Sequence, residues 1–159
     1  MQREKEHAND TSNRELKITR LFNAPINLVW EVWTRPEHIE NWYGPNGFTL
    51  TTHKMNFKTA GEWEFIMHGP DCTDYLNKNI FVEISEPNKI VYDHLEDPIH
   101  RTTVTFEEQG NKTLMNFHML FESSALKEET VKIYKADEGL IQTVSRLDHY
   151  VSRILSLQK

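Results

Sequence analysis

The chain has 159 residues and a formal net charge of -6 at pH 7, from 18 Lys and Arg against 24 Asp and Glu. This length is typical of one domain with a sizeable core, and an acidic balance without a basic stripe disfavours nucleic acid or an acidic membrane surface as a partner. A single cysteine, Cys72, excludes an internal disulfide, and no apolar run approaches the roughly 20 residues of a membrane span, so we expect a cytoplasmic protein.

The N-terminal segment differs in composition from the rest of the chain. Residues 1–13 are polar and charged, and they lack the apolar stretch of a signal peptide. Nothing apolar there could offset the entropy of ordering the segment. We therefore predict a disordered leader at 1–13, followed by a single domain over 14–159.

The first predicted elements are a strand and two short helices. Apolar and polar residues alternate over 15–23, which is typical of a strand. Pro25 suits the first turn of a helix, because its missing N–H costs nothing there. Apolar residues then follow at helical spacing, namely Ile26, Val29, Trp30 and Trp33. A second short helix is expected over 36–42, and it ends in the turn sequence at 43–47.

From Phe48 the hydrophobic period changes to two, which predicts consecutive strands. Trp63, Phe65 and Met67, for example, share one face of their strand. The connections are short enough for an antiparallel meander. The predicted strands are 48–58, 62–67, 79–85, 90–95, 102–107 and 113–122.

The last third of the chain predicts a long helix that opens near Asp137. One wide apolar stripe runs along it, formed by Leu140, Val144, Leu147, Val151, Ile154 and Leu155. Such a stripe needs a partner surface, and the predicted sheet is the available one. We expect an α+β fold in which a curved antiparallel sheet of six or seven strands wraps around this helix. A hollow between sheet and helix would suit a small molecule.

Four sequence motifs, in order along the chain, resemble one known family. They are Phe22-Asn23-Ala24-Pro25 with Val29-Trp30, Pro36-Glu37-His38 with Trp42-Tyr43-Gly44-Pro45, Ala60-Gly61-Glu62-Trp63-Glu64-Phe65, and Glu138-Gly139-Leu140 with Arg146-Leu147. The family is named after the activator of the heat-shock protein 90 ATPase and belongs to the START-like, polyketide-cyclase-like (SRPBCC) superfamily. The resemblance implies the helix-grip fold, with two small helices between strands 1 and 2 and a cavity closed by the C-terminal helix.

Two departures from the family pattern concern the predicted cavity and a turn. Asn56, Lys58 and Ala60-Gly61 stand where relatives commonly have Asp, Arg and a Gly pair. Leu140 stands where relatives often have Trp, which implies a wider hollow at that point. Fold alone implies little about chemistry.

The strand parity and turn positions aim a set of large side chains between sheet and helix. The predicted ligand-binding residues are Trp42, Trp63, Phe65, Met67, Tyr92, His94, Phe117, Met119, Leu140 and Val144. Aromatic and Met side chains line ligand pockets because they offer large apolar area. Core filling is the alternative interpretation of each of them. Tyr92 and His94 share a strand face and could orient a polar group.

The sequence gives little indication of a metal site or a catalytic site. His68, Asp71, Cys72 and Asp74 cluster across a turn and could ligate zinc, but the polarity of a turn explains them as well. No nucleophile elbow, phosphate-binding glycine loop or His-Glu-x-x-His motif is present. We therefore predict no catalytic residue, no metal and no cofactor.

Three hypotheses of function remain. The first is binding of a small hydrophobic or aromatic molecule in the hollow. The second is a cyclase or aromatase that uses Tyr92 and His94 as a general acid/base pair. The third is a co-chaperone-like module that contacts a large ATPase through its surface. The sequence also leaves open a homodimer through the sheet edge or the first helix.

Overall fold

A computed structural model describes residues 11–158 of the protein. Within that range the chain forms one sheet of seven antiparallel strands. The strands are β1 (Glu15–Phe22), β2 (Thr49–Met55), β3 (Glu62–His68), β4 (Asp74–Ser85), β5 (Lys89–His94), β6 (His100–Gln109) and β7 (Lys112–Phe121). Their order in the sheet is β1-β7-β6-β5-β4-β3-β2. The strands from β2 to β7 form a meander, and β1 pairs with β7 to complete the sheet.

The helices of the described chain are α1 (Ile26–Thr34), α2 (Pro36–Ile39), α3 (Ser124–Tyr134) and α4 (Ala136–Leu157). The connection with α1 and α2 joins β1 to β2, which are opposite edges of the sheet. Six strand spacings of about 4.8 Å make that crossing ~29 Å long, so the two helices lie over the sheet face. The predicted α+β helix-grip fold is confirmed. Within residues 11–158 no helix is long and apolar enough to cross a membrane.

Helix α4 closes the core with the predicted apolar stripe. Leu140, Val144, Leu147 and Val151 are buried and recur at intervals of three or four residues. Burying one such side chain contributes about 1.5–3 kcal/mol. A salt bridge of 3.0 Å between Arg20 and Asp148 also joins β1 to α4. The helix is therefore held along its length against the sheet.

Two strands begin earlier than the sequence predicts. Strand β4 begins at Asp74, where its first residues pair with the end of β3, and β6 begins at His100, which pairs with His94. The early residues of β4 are exposed on both faces, so they show no alternation of apolar and polar side chains. These extensions lie at the end of the sheet that forms the cavity described below.

The predicted leader falls largely outside the described residues. Its last residues are described: Thr11 precedes a short 3-10 turn at Ser12–Arg14, which leads into β1. The hydroxyl of Thr11 contacts the carboxylate of Glu15. Disorder over 1–13 stays a prediction.

Candidate ligand-binding cavity

A cavity of about 750 Å³ lies between the sheet, the loop after α2 and the first turns of α4. Small-molecule sites typically have volumes of about 300–1,000 Å³. The cavity occupies one end of the sheet, where β3, β5 and β7 finish and where β4 and β6 begin. The other end of the sheet is filled by packed side chains. The fold therefore provides a solid core and a hollow side by side along the same strands.

The predicted ligand-binding residues divide between the cavity and the core. Seven line the cavity, namely Phe65, Met67, Tyr92, His94, Phe117, Met119 and Leu140. The other three, Trp42, Trp63 and Val144, are at most 1% exposed and lie in the packed core. Trp63, for example, stacks on Phe65 with ring centroids 4.4 Å apart. Strand parity places Trp63 on the same face as Phe65, but Trp63 lies deeper towards the filled end. A direct role in binding stays a prediction for all ten.

Several wall residues were not predicted from the sequence. Tyr43 and Phe48 come from the loop after α2, Asn79 from β4, and His100 from the early start of β6. Tyr43 belongs to a turn signal, which gives no side-chain direction. Asn79 is only 2% exposed although it is polar. In the sequence, the available signal for this part of the wall was an amide directly before an apolar run, namely Asn79 before residues 80–82.

Two tyrosine hydroxyls meet at the cavity. The hydroxyl oxygens of Tyr43 and Tyr92 are 2.8 Å apart. Burial raises the pKa of Tyr43 to about 12 and raises the pKa of Tyr92 well above its ordinary value. Both phenols are therefore protonated at neutral pH. General acids work best with a pKa near the working pH, so this pair is better suited to fixing hydrogen bonds than to moving protons.

A histidine pair and an amide complete the polar part of the wall. His94 Nδ1 lies 2.9 Å from Asn79 Oδ1, and His100 Nδ1 lies 2.7 Å from the carbonyl oxygen of Pro98. Since a carbonyl oxygen only accepts, each Nδ1 carries the proton and donates it. The two imidazole rings stack with centroids 5.0 Å apart.

Both imidazoles are neutral near pH 7. Burial lowers the pKa of His94. Burial, and to a smaller extent the charge of the neighbouring His94, lowers the pKa of His100 to about 4. The cavity wall therefore carries no imidazolium charge at neutral pH.

The mouth of the cavity is both apolar and acidic. Tyr75, Leu76 and Tyr134 are 40%, 73% and 64% exposed and form the apolar part of this mouth. The ionised side chains of the wall are Asp74, Glu96, Asp97, Glu138 and Lys135. Four carboxylates and one ammonium group thus border the cavity, and all five side chains are exposed to solvent.

The turn that suggested zinc is held by hydrogen bonds within the protein. His68 Nδ1 lies 2.8 Å from Asp74 Oδ1, and its Nε2 lies 2.8 Å from Thr51 Oγ1. Asp71 Oδ1 accepts from the backbone N–H of Thr73 at 3.1 Å. Among residues 11–158, no three His, Cys, Asp or Glu side chains are grouped so that they could hold a metal ion.

The antiparallel sheet, the gripped C-terminal helix and the cavity between them define the START-like helix-grip class. The family described as Activator of Hsp90 ATPase homolog 1-like protein matches residues 23–152. The chain belongs to this family, as the sequence motifs indicated. No curated protein is significantly similar to it in sequence.

Solved structures share the fold at low sequence identity. A protein from Arthrobacter aurescens is 24% identical with a TM-score of 0.84, covering 91% of this chain and 89% of its own. A protein from Nitrosomonas europaea is 15% identical with a TM-score of 0.81, covering 89% and 96%. The likeness extends to an AHSA1-like protein from Aeromonas hydrophila, 16% identical with a TM-score of 0.67, covering 87% and 94%. At these identities the likeness establishes the fold alone.

Proposed function

We propose that this protein binds a small hydrophobic or aromatic molecule in the cavity between the sheet and α4. The observation that carries the proposal is the composition of the wall. Apolar side chains of three strands and one helix enclose a volume of about 750 Å³, and a few polar groups converge at one side. Mostly apolar concave sites with a few placed polar groups are typical of small-molecule binding.

Leu140 provides the test, because it lines the cavity and is only 7% exposed. Leu140→Trp adds volume at the wall and should narrow the hollow. The neighbouring Ile141 is 54% exposed and does not line the cavity, so Ile141→Trp is a matched control. We expect the uncharged dye Nile red to bind Leu140→Trp at least about fivefold more weakly than wild type, and to bind Ile141→Trp unchanged.

Two further readings keep the test decisive. Both variants should melt cooperatively and at nearly the same temperature as wild type. A loss of about 1–3 kcal/mol in Leu140→Trp, which is typical of overpacking, would instead indicate that the space beside Leu140 is filled. Equal dye affinity in all three well-folded proteins would show that the cavity is not the binding site. Native mass spectrometry of the gently purified protein should in addition reveal a co-purified small molecule as a mass increment that denaturation removes.

A further inference from the structure

Two buried side chains of the cavity wall, His94 and Asn79, each have one polar atom without a hydrogen-bond partner in the described part of the chain. His94 and Asn79 are 8% and 2% exposed, and they bond to each other through Nδ1 and Oδ1. Within residues 11–158, neither His94 Nε2 nor the Asn79 amide nitrogen makes a hydrogen bond to another group of the protein. Buried polar groups normally find partners. These two atoms are therefore free to bond a ligand, and the Nε2 of the neighbouring, half-buried His100 offers one further acceptor because its Nδ1 donates to Pro98.

Neither atom is sealed from solvent. The sealed side-chain polar atoms without a partner, among the described residues, are Trp33 Nε1, Thr52 Oγ1 and Trp63 Nε1. His94 Nε2 and the Asn79 amide nitrogen are not among them, and both residues line the cavity. The small exposed area that these side chains retain is therefore open to the hollow.

Other polar side chains at the cavity are already engaged. Thr143 Oγ1 donates to the carbonyl oxygen of Gly139 at 2.8 Å, and Gln142 Oε1 accepts from the backbone N–H of Asn46 at 3.0 Å. Asn77 donates to the carbonyl oxygen of Tyr75 at 2.9 Å. Among the buried polar side chains of the described wall, His94 and Asn79 leave a polar atom open, whereas Gln142, Asn77 and His100 are more exposed to solvent.

The open atoms of His94 and Asn79 offer one donor and one acceptor. With Nδ1 protonated, His94 Nε2 keeps a lone pair and accepts, while the Asn79 amide donates. Exchanging the oxygen and nitrogen of Asn79 would reverse the two roles and leave the same count of one each. A hydroxyl group can satisfy both atoms, because it donates and accepts. A carboxylate only accepts, and an ammonium only donates.

The charges at the cavity also disfavour an anion. The rim of the cavity carries four exposed carboxylates, Asp74, Glu96, Asp97 and Glu138, against the exposed ammonium of Lys135. The guanidinium of Arg146 does not line the cavity and is engaged by the carbonyl oxygens of Gly44 and Pro45. The two imidazoles are neutral at pH 7 because burial lowers their pKa. A buried anion without a counter-charge is strongly disfavoured.

We infer that the ligand is an uncharged amphipathic molecule whose polar end carries a hydroxyl-type group, placed against His94 and Asn79, and that the cavity discriminates against carboxylates. This inference rests on the proposed function, since it specifies the class of molecule that the same cavity takes.

A series of fluorescent probes with one ring system tests the inference. Pyrene, 1-pyrenemethanol, 1-pyrenemethylammonium and 1-pyrenecarboxylate would be titrated into the full chain at pH 7.5. We expect the alcohol to bind about three- to tenfold more tightly than pyrene, which corresponds to the gain of a hydrogen bond. We expect the carboxylate to bind at least about tenfold more weakly than the alcohol. A carboxylate or ammonium that binds as tightly as the alcohol would overturn the inference.

Two variants test whether the preference for the alcohol arises at His94 and Asn79. His94→Phe keeps an aromatic ring against His100 and removes the open nitrogen, so the advantage of the alcohol over pyrene should disappear while pyrene itself still binds. Asn79→Leu is a second variant with the same expected result. His53→Phe is the control, because His53 is exposed on β2 and does not line the cavity.

The outcomes separate this inference from the proposal on which it rests. Binding of all four probes without preference for the alcohol, or a preference that persists in both His94→Phe and Asn79→Leu, would overturn the inference alone. No binding of any probe, together with equal Nile red affinity of wild type and Leu140→Trp, would overturn the proposed function and the inference with it.

Discussion

Arg146 Nη1 donates to the carbonyl oxygen of Gly44 at 2.7 Å. The same nitrogen also donates to the carbonyl oxygen of Pro45 at 2.8 Å. The guanidinium of α4 thereby fixes the loop after α2, and this loop carries Tyr43 to the cavity wall. Burial lowers the pKa of Arg146, because this contact holds the charge partly out of water.

Replacing Arg146 by Met should loosen that loop. Two carbonyl groups lose their donor, and an unpaired, partly buried polar group costs about 1–3 kcal/mol. We expect a loss of this size in the free energy of unfolding, measured by urea denaturation, together with weaker Nile red binding. Arg153→Met is the matched control, because Arg153 is exposed and its guanidinium lies 6.0 Å from the ring of Tyr150. Equal stability of the two variants would show that Arg146 does not hold the loop.

The buried tryptophans Trp42 and Trp63 should respond differently to replacement by Phe. Trp42 Nε1 donates to the carbonyl oxygen of Val32 at 3.1 Å, whereas Trp63 Nε1 is sealed without a partner. Trp42→Phe loses a hydrogen bond, but Trp63→Phe removes an unsatisfied donor. We expect Trp42→Phe to be the more destabilising by about 1–3 kcal/mol in urea denaturation. Trp63→Ala, which empties the site, should cost about 3–5 kcal/mol. The reverse order of the two Phe variants would contradict these hydrogen-bond assignments.

The stability of the protein should fall in mild acid because of His100. Its pKa in the folded protein is about 4, below its ordinary value of 6.5. Between these values the unfolded chain binds a proton that the folded protein does not, so acid favours unfolding. This loss of stability is negligible above about pH 6.5 and grows as the pH falls to about 4.

His100→Phe keeps the ring stacked on His94 and removes this titration. Between pH 7.5 and pH 5.0, we expect wild type to lose about 1–2 kcal/mol more than the variant in the free energy of unfolding. His53→Phe should behave as wild type, because His53 is exposed. Parallel pH profiles of wild type and His100→Phe would mean that this imidazole titrates as in the unfolded chain.

Gly61 cannot carry a side chain. A Cβ atom there would lie 1.9 Å from the carbonyl oxygen of Asn56, which is backbone and cannot rotate away. We expect Gly61→Ala to cost at least about 1–3 kcal/mol, as is typical of overpacking. Gly110→Asn is the control, because Gly110 has a φ of +65° in open space, which Asn tolerates. The stability of both variants would be compared by thermal melting followed by circular dichroism. A Gly61→Ala protein as stable as Gly110→Asn would contradict the close approach of Gly61 to Asn56.

On β3, β5 and β7 the sequence predicted the face of the strand but not the depth along it. The alternation around Phe65 and Phe117 indicates which side chains face α4, because the period of a strand is two. It contains no information on where along the strand the core ends and the hollow begins. Trp63 and Phe65 therefore looked equivalent, although packing against Phe81 encloses Trp63 in the core.

The polar part of the wall was harder to predict for a different reason. His94 and Asn79 are brought together by the pairing of β4 with β5, and His100 by the pairing of β5 with β6. Such contacts depend on strand register, which the hydrophobic pattern constrains only to a multiple of two residues. Tyr43 arrives from a loop whose path is fixed by Arg146, about a hundred residues later in the chain.

The division of each strand into a packed end and a hollow end has an evolutionary consequence. Trp63 and Phe81 lie in the packed core and do not line the cavity, whereas Met67 and His94 line it. Under the proposed function, substitutions at the hollow end of the sheet would change which molecule is bound, while the packed end would maintain the fold.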